Sequence, residues 1–412
     1  MPTDRLPDHG IDVARARAET PGCEDVVHLD HAGASLPPRA VVDAQVDWLR
    51  AEARTGGYAL AAARADELEA AYDEVAALLG AHRDEVALVE NATFAWHQAF
   101  WSLDLRPGDR VLTAGVEYAT GLVSMLQARA RRGVVVEVLP DDESGALSLD
   151  ALARALDDDR AGPVGLVAVT HVPTNGGLVN PAEEIGRLTR AAGVPYLLDA
   201  CQSVGQMPVD VEAIGCDLLS ATGRKFLRGP RGTGFLYVRR SLLERTEPAP
   251  LEPAFLDLLG AELVAPDRYE LRPDARRFES WESNLAARVG LRAAVAHARG
   301  WGLEAIGRRV AAVAEALRER LRAVPGVTVR DKGERRSGIV TFTHDDVPAD
   351  ALRRAAADAG VNVTVSNPSS TIVDATRRRL PPLVRASVHY LTTEEELDRL
   401  VEVVAASGRS AR

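Results

Sequence analysis

Lysine is nearly absent from this sequence, and the two lysines that remain are informative. Of 49 basic residues among 412, only Lys225 and Lys332 are lysines, so arginine supplies almost all of the positive charge. Arginine keeps its proton near neutral pH and cannot form an imine, whereas a lysine amine can do so once its pKa is lowered. A lysine is therefore expected where an amine is needed, although two could also persist by chance. The residues around Lys225 decide between these interpretations.

Other scarcities exclude whole classes of protein. The three cysteines, Cys23, Cys201 and Cys216, form no CxxC pair and are too few for a disulfide framework, so neither that scaffold nor a zinc site is expected. No apolar run approaches the roughly 18 residues of a membrane span, and the polar N-terminus lacks the pattern of a secretory signal. A net charge of −11 disfavours a nucleic-acid partner. These features predict a cytoplasmic enzyme with no metal, membrane or nucleic-acid partner.

The hydrophobic pattern predicts an α/β fold in two parts. Up to about residue 245, short β-branched runs alternate with helix-like stretches, which is typical of a mainly parallel sheet covered by helices. No GxGxxG follows the first strand, so a dinucleotide-binding dehydrogenase is disfavoured. Beyond a Pro-, Glu- and Asp-rich connection at 246–275, two long helices and several strands predict a smaller α+β unit. We expect an N-terminal arm at 1–27, a large domain at 28–260 and a small domain at 261–412.

An acid and an amine follow two of the predicted strands. Asp199 ends the apolar run 194–199, and Lys225 follows the run 217–221. Ligands of open α/β sheets bind beyond the carboxyl ends of the strands, where both side chains should lie. Pyridoxal 5′-phosphate (PLP) needs this pair, an amine for its aldehyde carbon and a carboxylate for its ring nitrogen. Thr222 and Arg224 flank the lysine and are candidates for gripping the phosphate.

The same stretch resembles a known family. It reads Asp199-Ala200-Cys201-Gln202-Ser203-Val204-Gly205, then Thr222-Gly223-Arg224-Lys225, then Gly229-Pro230-Arg231-Gly232-Thr233-Gly234. This pattern is similar to that of the class V aminotransferases, the fold-type I PLP enzymes that include cysteine desulfurases and selenocysteine lyases. The resemblance implies a large domain with a mainly parallel seven-stranded sheet, a smaller C-terminal α+β domain, and PLP as the cofactor.

The resemblance also implies cofactor contacts outside this stretch. It assigns the phosphate to Ala92 and Thr93, which otherwise belong to an ordinary helix start, and it makes Tyr118 the aromatic that stacks on the ring rather than a plain buried tyrosine. Thr174 is at the closest alignment to an asparagine that contacts the ring hydroxyl, with Asn175 beside it. Gln202 should approach the hydroxyl or the imine, unless it is a solvent-facing helix residue.

Substrate and partner contacts follow from the same resemblance. Arg385 would hold the α-carboxylate of a small amino-acid substrate in a bidentate fork, or else be an ordinary strand arginine. Tyr58, after Gly56 and Gly57, would line the substrate site or simply be a core tyrosine. Ser283 or Asn284 would reach the phosphate of the other subunit, which implies a homodimer with shared active sites.

The resemblance leaves the reaction open. A cysteine desulfurase needs a nucleophilic cysteine on a mobile loop before the carboxylate-binding arginine, yet residues 363–371 contain none and no cysteine follows Cys216. The segment Leu29-Asp30-His31-Ala32-Gly33-Ala34-Ser35 resembles a subgroup that contains hercynylcysteine sulfoxide lyase and enzymes that process cysteine conjugates in natural-product pathways. We therefore expect C–S β-elimination from an S-substituted cysteine or cysteine sulfoxide, through an imine on Lys225 and a stabilised carbanion. Transamination, decarboxylation-dependent oxidative deamination and a non-catalytic PLP-binding scaffold are the alternatives.

Overall fold

A computed structural model describes residues 6–247 and 249–411 of the chain. The strands are β1 (Val27–His28), β2 (Val86–Val89), β3 (Arg110–Thr113), β4 (Val135–Val138), β5 (Val164–Thr170), β6 (Tyr196–Asp199), β7 (Leu218–Thr222), β8 (Gly234–Val238), β9 (Ala261–Ala265), β10 (Arg268–Leu271), β11 (Val327–Val329), β12 (Ile339–His344), β13 (Val361–Asn362), β14 (Thr364–Ser366) and β15 (Leu383–Ser387). The α-helices are α1 (Val13–Ala18), α2 (Arg39–Thr55), α3 (Gly57–Ala63), α4 (Ala65–Leu79), α5 (Ala92–Trp101), α6 (Ala119–Arg132), α7 (Leu149–Asp157), α8 (Ala182–Ala192), α9 (Val211–Ile214), α10 (Arg240–Leu243), α11 (Leu285–Trp301), α12 (Leu303–Arg322), α13 (Ala349–Asp358), α14 (Ile372–Arg378) and α15 (Glu394–Ala411).

The larger sheet has seven strands in the order β2-β8-β7-β6-β5-β3-β4. Only β8 runs antiparallel to its neighbours. Every residue of β2, β3, β6, β7 and β8 is buried, because helices cover both faces of the sheet. This burial explains why these strands appear in the sequence as continuous apolar runs. The predicted α/β fold with a mainly parallel seven-stranded sheet is confirmed.

The smaller sheet is antiparallel, with the strand order β11-β12-β15-β14. Its core joins Phe342 and Val384 to Leu317 of α12, Leu352 of α13 and Leu397 of α15. The short strand β1 pairs in parallel with β13, so a segment from near the N-terminus packs onto this C-terminal unit. The boundaries proposed for the arm and the two domains stay predictions.

Local structure differs from the pattern in two places. A single helix is expected over 62–79, but the helical path breaks at Arg64 (φ −118°, ψ 30°), which separates α3 from α4. The stretch 246–275, expected as a surface connection, contains the antiparallel hairpin of β9 and β10. Both features depend on packing that residue spacing does not encode.

The sheet register sets the position of the site. Parallel strands β5, β6 and β7 are neighbours, with Thr170 paired to Asp199 and Asp199 paired to Ser220. Their carboxyl ends therefore open at one edge of the sheet. The N-terminus of α5 follows β2, on the far side of β8 from β7. None of the described helices is both long and apolar enough to cross a membrane.

Candidate active site

A cavity of about 420 Å³ opens at the carboxyl ends of β5, β6 and β7. Its lining includes nine of the residues singled out from the sequence, which are Ala92, Thr93, Tyr118, Thr174, Asp199, Gln202, Thr222, Arg224 and Lys225. Residues more than a hundred positions apart thus meet in one concave space, as expected for a small-molecule site.

Lys225 contributes an amine to the lining of the cavity. Its Nζ makes no hydrogen bond or ion pair within the described part of the chain. Burial lowers the pKa of the Lys225 ammonium, and Arg224 and Arg385 lower it further, while Asp199 opposes them. Burial therefore favours the uncharged form of this amine, which is nucleophilic and can accept a proton, so the surroundings of Lys225 suit covalent and acid–base work.

Asp199 and Cys201 lie side by side in the cavity wall. The Asp199 carboxylate is 8% exposed, and its Oδ1 accepts a hydrogen bond from the Cys201 backbone N–H at 2.9 Å. Burial and the Asp199 charge raise the pKa of the Cys201 thiol well above its usual range. Cys201 is therefore held as a thiol, because a thiolate beside a carboxylate in a buried wall is unfavourable.

The lining of the cavity includes groups that can bind an anion. The Asn91 side chain caps α5 by accepting from the Phe94 N–H at 2.9 Å, which leaves Ala92 and Thr93 in the first turn. Free N–H groups and the helix dipole make that turn favourable for an anion. Thr222 lines the same cavity, and Arg224 adds a guanidinium that also donates to the carbonyl oxygen of Gly33.

Tyr118 and Gln202 also line the cavity. Tyr118 is 39% exposed and precedes α6, and its backbone N–H donates to Thr170 Oγ1 at 3.4 Å. Gln202 donates from Nε2 to the carbonyl oxygen of Ala32 at 3.2 Å. Its Oε1 is buried without a partner among the described residues, which leaves an acceptor for a ligand.

Arg385 lies behind Thr174, and the lining of the cavity does not include it. The guanidinium is 8% exposed and donates from Nη1 to Thr174 Oγ1 at 2.6 Å and from Nη2 to Asp30 Oδ1 at 3.1 Å. The Nε atom is buried without a partner among the described residues. Burial lowers the pKa of Arg385, whereas Asp30 raises it.

Four other predicted residues are not brought into this cavity. Asn175 turns toward the segment after β14, donating from Nδ2 to the carbonyl oxygen of Asn367 and to Thr371 Oγ1, both at 3.0 Å. Ser283 and Asn284 line a separate small crevice, where Asn284 caps α11 by accepting from the Ala287 N–H. Tyr58 is 82% exposed on α3.

The cavity also contains residues that sequence reasoning missed. Trp96, Thr120 and Thr170 line it, and the buried Glu117 accepts hydrogen bonds from the Thr170 N–H at 3.0 Å and the Thr170 hydroxyl at 2.9 Å. Burial first, and then the Asp199 charge, raise the pKa of Glu117 to about 8. No sequence signal identifies Glu117, because its burial and its bonds to Thr170 depend on how β3 and β5 are placed in the fold.

The segment 366–378, which runs from the last residue of β14 to the end of α14, is tied to the larger sheet's side of the molecule. Asp374, 4% exposed, accepts from Lys332 Nζ at 2.8 Å, and its N–H donates to the carbonyl oxygen of Gly115 at 3.0 Å. The Asn175 contacts described above hold the beginning of the same segment. The segment is thus ordered by side-chain and backbone bonds at both ends.

Known proteins share this architecture over nearly the whole chain. The family model for aminotransferase class-V matches residues 27–400. A probable cysteine desulfurase from Methanothermobacter thermautotrophicus is 30% identical over 94% of this chain and 96% of its own length. A probable cysteine desulfurase from Halobacterium salinarum is 31% identical over 96% of each chain. Among solved structures, an apo cysteine desulfurase from Thermococcus onnurineus superposes with a TM-score of 0.88 at 24% identity over both full lengths.

The residues of the cavity fit pyridoxal 5′-phosphate, the cofactor of this enzyme. Lys225 offers a free amine for the aldehyde, Asp199 a carboxylate for the ring nitrogen, and the first turn of α5 with Thr222 and Arg224 a place for the phosphate. The unpartnered Gln202 Oε1 is a further acceptor toward the same space. Within the described residues, no group of histidine, cysteine and carboxylate side chains is arranged to hold a metal. The family match over residues 27–400 and the 30% identity across the chain agree with this geometry, and the chain belongs to the aminotransferase class-V family of PLP-dependent enzymes.

Proposed function

We propose that this protein is a C–S lyase that removes the sulfur substituent from an S-substituted cysteine or a cysteine sulfoxide. One observation carries the proposal: the site has an unpartnered lysine amine and a buried carboxylate, while its thiol is held protonated. The curated relatives named above are called probable cysteine desulfurases, which supports chemistry at the sulfur of a cysteine. Elimination uses the amine and needs no protein nucleophile at sulfur.

The proposed reaction balances without an outside oxidant. Lys225 Nζ takes the proton from Cα, the Cβ–S bond breaks, and the sulfur leaves with the bonding electrons as a thiolate or sulfenate. One water then converts the remaining three-carbon fragment to pyruvate and ammonia. Bound PLP supplies the electron sink for the Cα carbanion. Asp199 stabilises the charge on the ring nitrogen, and Lys225 later returns a proton.

Arg385 is proposed as the residue that binds the substrate's α-carboxylate. Its guanidinium is buried, and a planar fork matches a carboxylate in two hydrogen bonds. With the carboxylate fixed, the Cα–H bond can be oriented toward Lys225, which favours its cleavage over other bonds at Cα. Tyr118 offers a ring for stacking on the cofactor.

The segment 366–378 supports elimination over persulfide formation. It contains no cysteine, and the bonds of Asp374 and Asn175 tie it down at both ends. A desulfurase would need a thiolate that reaches the substrate sulfur from such a segment. Cys201 is the thiol in the cavity lining, and its raised pKa disfavours a thiolate.

A cysteine-free variant tests the proposal. Replacing Cys23, Cys201 and Cys216 with serine should leave the release of pyruvate from S-(4-nitrophenyl)-L-cysteine within a few fold of the parent. Loss of pyruvate release together with persulfide formation by the parent would support desulfuration instead. Conversion of the cofactor to its amine form, with a keto acid that keeps the sulfur, would support transamination, because both reactions can use every residue named above.

We also propose that the active unit is a homodimer. Ser283 and Asn284 lie outside the cavity of their own chain, so a role at a phosphate would require a second subunit. The chain between residues 255 and 281 also exposes large apolar side chains, namely Phe255, Leu258, Leu263 and Trp281. Exposed apolar patches of this kind mark association surfaces.

A further inference from the structure

Asp30 holds the guanidinium that the proposed function assigns to substrate binding. Asp30 Oδ1 accepts from Arg385 Nη2 at 3.1 Å, and Thr174 Oγ1 accepts from Nη1 at 2.6 Å. These two bonds join residues 355 and 211 positions apart and fix the plane of the guanidinium. Arg385 Nε is left buried with no partner in the described residues. A buried donor without an acceptor is unfavourable, so this edge of Arg385 is suited to an incoming anion.

We propose that Asp30 is a positioning residue, which orients Arg385 so that its Nε edge receives the α-carboxylate of the substrate. The proposal rests on the assignment of Arg385 to that carboxylate. Asp30 itself does not line the cavity, so it acts through Arg385. Without Asp30, Thr174 alone would hold the guanidinium, which could then rotate about its Nη1 bond and lose the bidentate geometry.

Gly33 gives a second, independent way to move the Asp30 carboxylate. A Cβ at position 33 would lie 2.3 Å from Asp30 Oδ2 and 2.6 Å from Asp30 Oδ1. The φ angle of Gly33 is not in the left-handed region, so alanine suits the backbone there. Gly33→Ala should therefore displace the Asp30 side chain while keeping its charge. Gly300→Ala is the matched control, since a Cβ there meets nothing within 4 Å.

Binding of L-alanine and L-alaninamide to the PLP-loaded protein tests the proposal. Both carry the α-amine, but only L-alanine carries the α-carboxylate, and both can be titrated by the change in cofactor absorption. Asp30→Ala and Gly33→Ala should weaken L-alanine binding by about 10-fold or more, and change L-alaninamide binding less than about twofold. Asp30→Asn, which keeps an acceptor oxygen, should lie between the parent and Asp30→Ala. Gly300→Ala should match the parent.

Arg385→Ala separates the proposed role of Arg385 from that of Asp30. If Arg385→Ala binds L-alanine as the parent does, or if the parent itself binds no L-alanine, the proposed role of Arg385 is wrong and that of Asp30 falls with it. If Arg385→Ala loses the preference for the carboxylate but the Asp30 and Gly33 variants keep it, the inference about Asp30 alone is overturned. Tighter binding of L-alanine to Asp30→Ala would also overturn it, because Asp30 would then compete with the substrate. Thermal melting of each variant shows whether a loss of L-alanine binding reflects unfolding. If Asp30→Ala fails to fold, L-alanine binding to Asp30→Asn tests the role of Asp30 instead.

Discussion

The two lysines of this chain have opposite surroundings. Lys332 Nζ lies 2.6 Å from Asp141 Oδ2 and 2.8 Å from Asp374 Oδ1, so its charge is paired on two sides. Lys225 Nζ has no partner in the described residues, and burial lowers its pKa. The first arrangement needs only a positive charge, whereas the second suits an amine that can lose its proton.

Replacing each lysine separates these roles. Lys225→Ala should lower kcat by roughly 10²-fold or more, because the proton acceptor is removed. It should also abolish the covalent attachment of PLP to the protein. Borohydride reduction makes this attachment permanent, so peptide mapping can detect it. Lys332→Arg is the control: it keeps the ion pairs and should retain both the attachment and the rate. An adduct found on Lys332 would refute the assignment of Lys225.

Glu117 should leave a signature in the dependence of stability on pH. Its pKa of about 8 lies above the value near 4.3 of an unfolded glutamate. Between these two values the folded state binds more protons than the unfolded state, so this contribution to stability is lost as pH rises through about 8. Glu117→Gln cannot titrate at this position, so it does not lose stability in this way as the pH rises. The free energy of unfolding of the variant minus that of the parent should therefore rise from pH 5 to pH 8 and then level off. Urea unfolding of the cofactor-free proteins measures the difference, and a difference that is constant over this range would contradict the expectation.

For single residues, the sequence predicts those site residues that residue type and order in the chain are enough to indicate. Lys225 and Asp199 were predicted because a rare amine and an acid follow two buried strands, and both residues line the cavity. The roles of the individual site residues stay predictions. Glu117 could not be predicted, because its pKa depends on burial and on Asp199, two strands away in the sheet. The contact of Asp30 with Arg385 likewise joins residues 355 positions apart.

Among the elements, α14 shows how a short helix is held in place. Asp374 in its first turn is buried and pairs with Lys332 and Arg378, at 2.8 and 3.3 Å. Asp374→Ala should destabilise the fold by about 1–3 kcal/mol, because the Lys332 and Arg378 donors lose a buried partner. It should also speed amide hydrogen exchange in 366–378 more than elsewhere.

A surface aspartate provides the control for this element. Asp73, 56% exposed, pairs with Arg83 at 3.3 Å, and Asp73→Ala should cost less than about 1 kcal/mol. Chemical denaturation and hydrogen exchange measured by mass spectrometry compare the two variants. Equal effects of both changes would show that the buried ion pairs do not hold α14.

Element boundaries show where sequence patterns stop being informative. The predicted runs 194–199 and 217–221 nearly coincide with β6 and β7, since burial on both faces demands continuous apolar runs. The hairpin of β9 and β10 was missed because three of the five residues of β9 and three of the four of β10 are exposed. Such a hairpin lacks the apolar alternation that would mark it.

For the whole molecule, the exposed apolar side chains around β9 lead to a prediction about assembly. Leu263 and Trp281 are 73% and 55% exposed, and a second copy would cover them. We expect a homodimer whose interface buries more than roughly 2,000 Å² in total. Leu263→Asp should shift sedimentation toward the monomer and lower activity. Val135→Asp, on the edge strand β4, should change neither the sedimentation nor the activity. A fully active parent monomer at nanomolar concentration would contradict the shared site.

The contact between Asp30 and Arg385 has a consequence for synthesis on the ribosome. The last strand of the larger sheet ends at Val238, whereas the β15 strand that receives the 29–35 segment ends at Ser387. At translation rates of about 5–20 residues per second, roughly 7–30 s separate these two points. During that interval the nascent chain already contains Lys225 and Asp199, but Arg385 and its contact with Asp30 do not yet exist. The amine of Lys225 is thus synthesised well before the residue that we propose for binding the substrate's carboxylate.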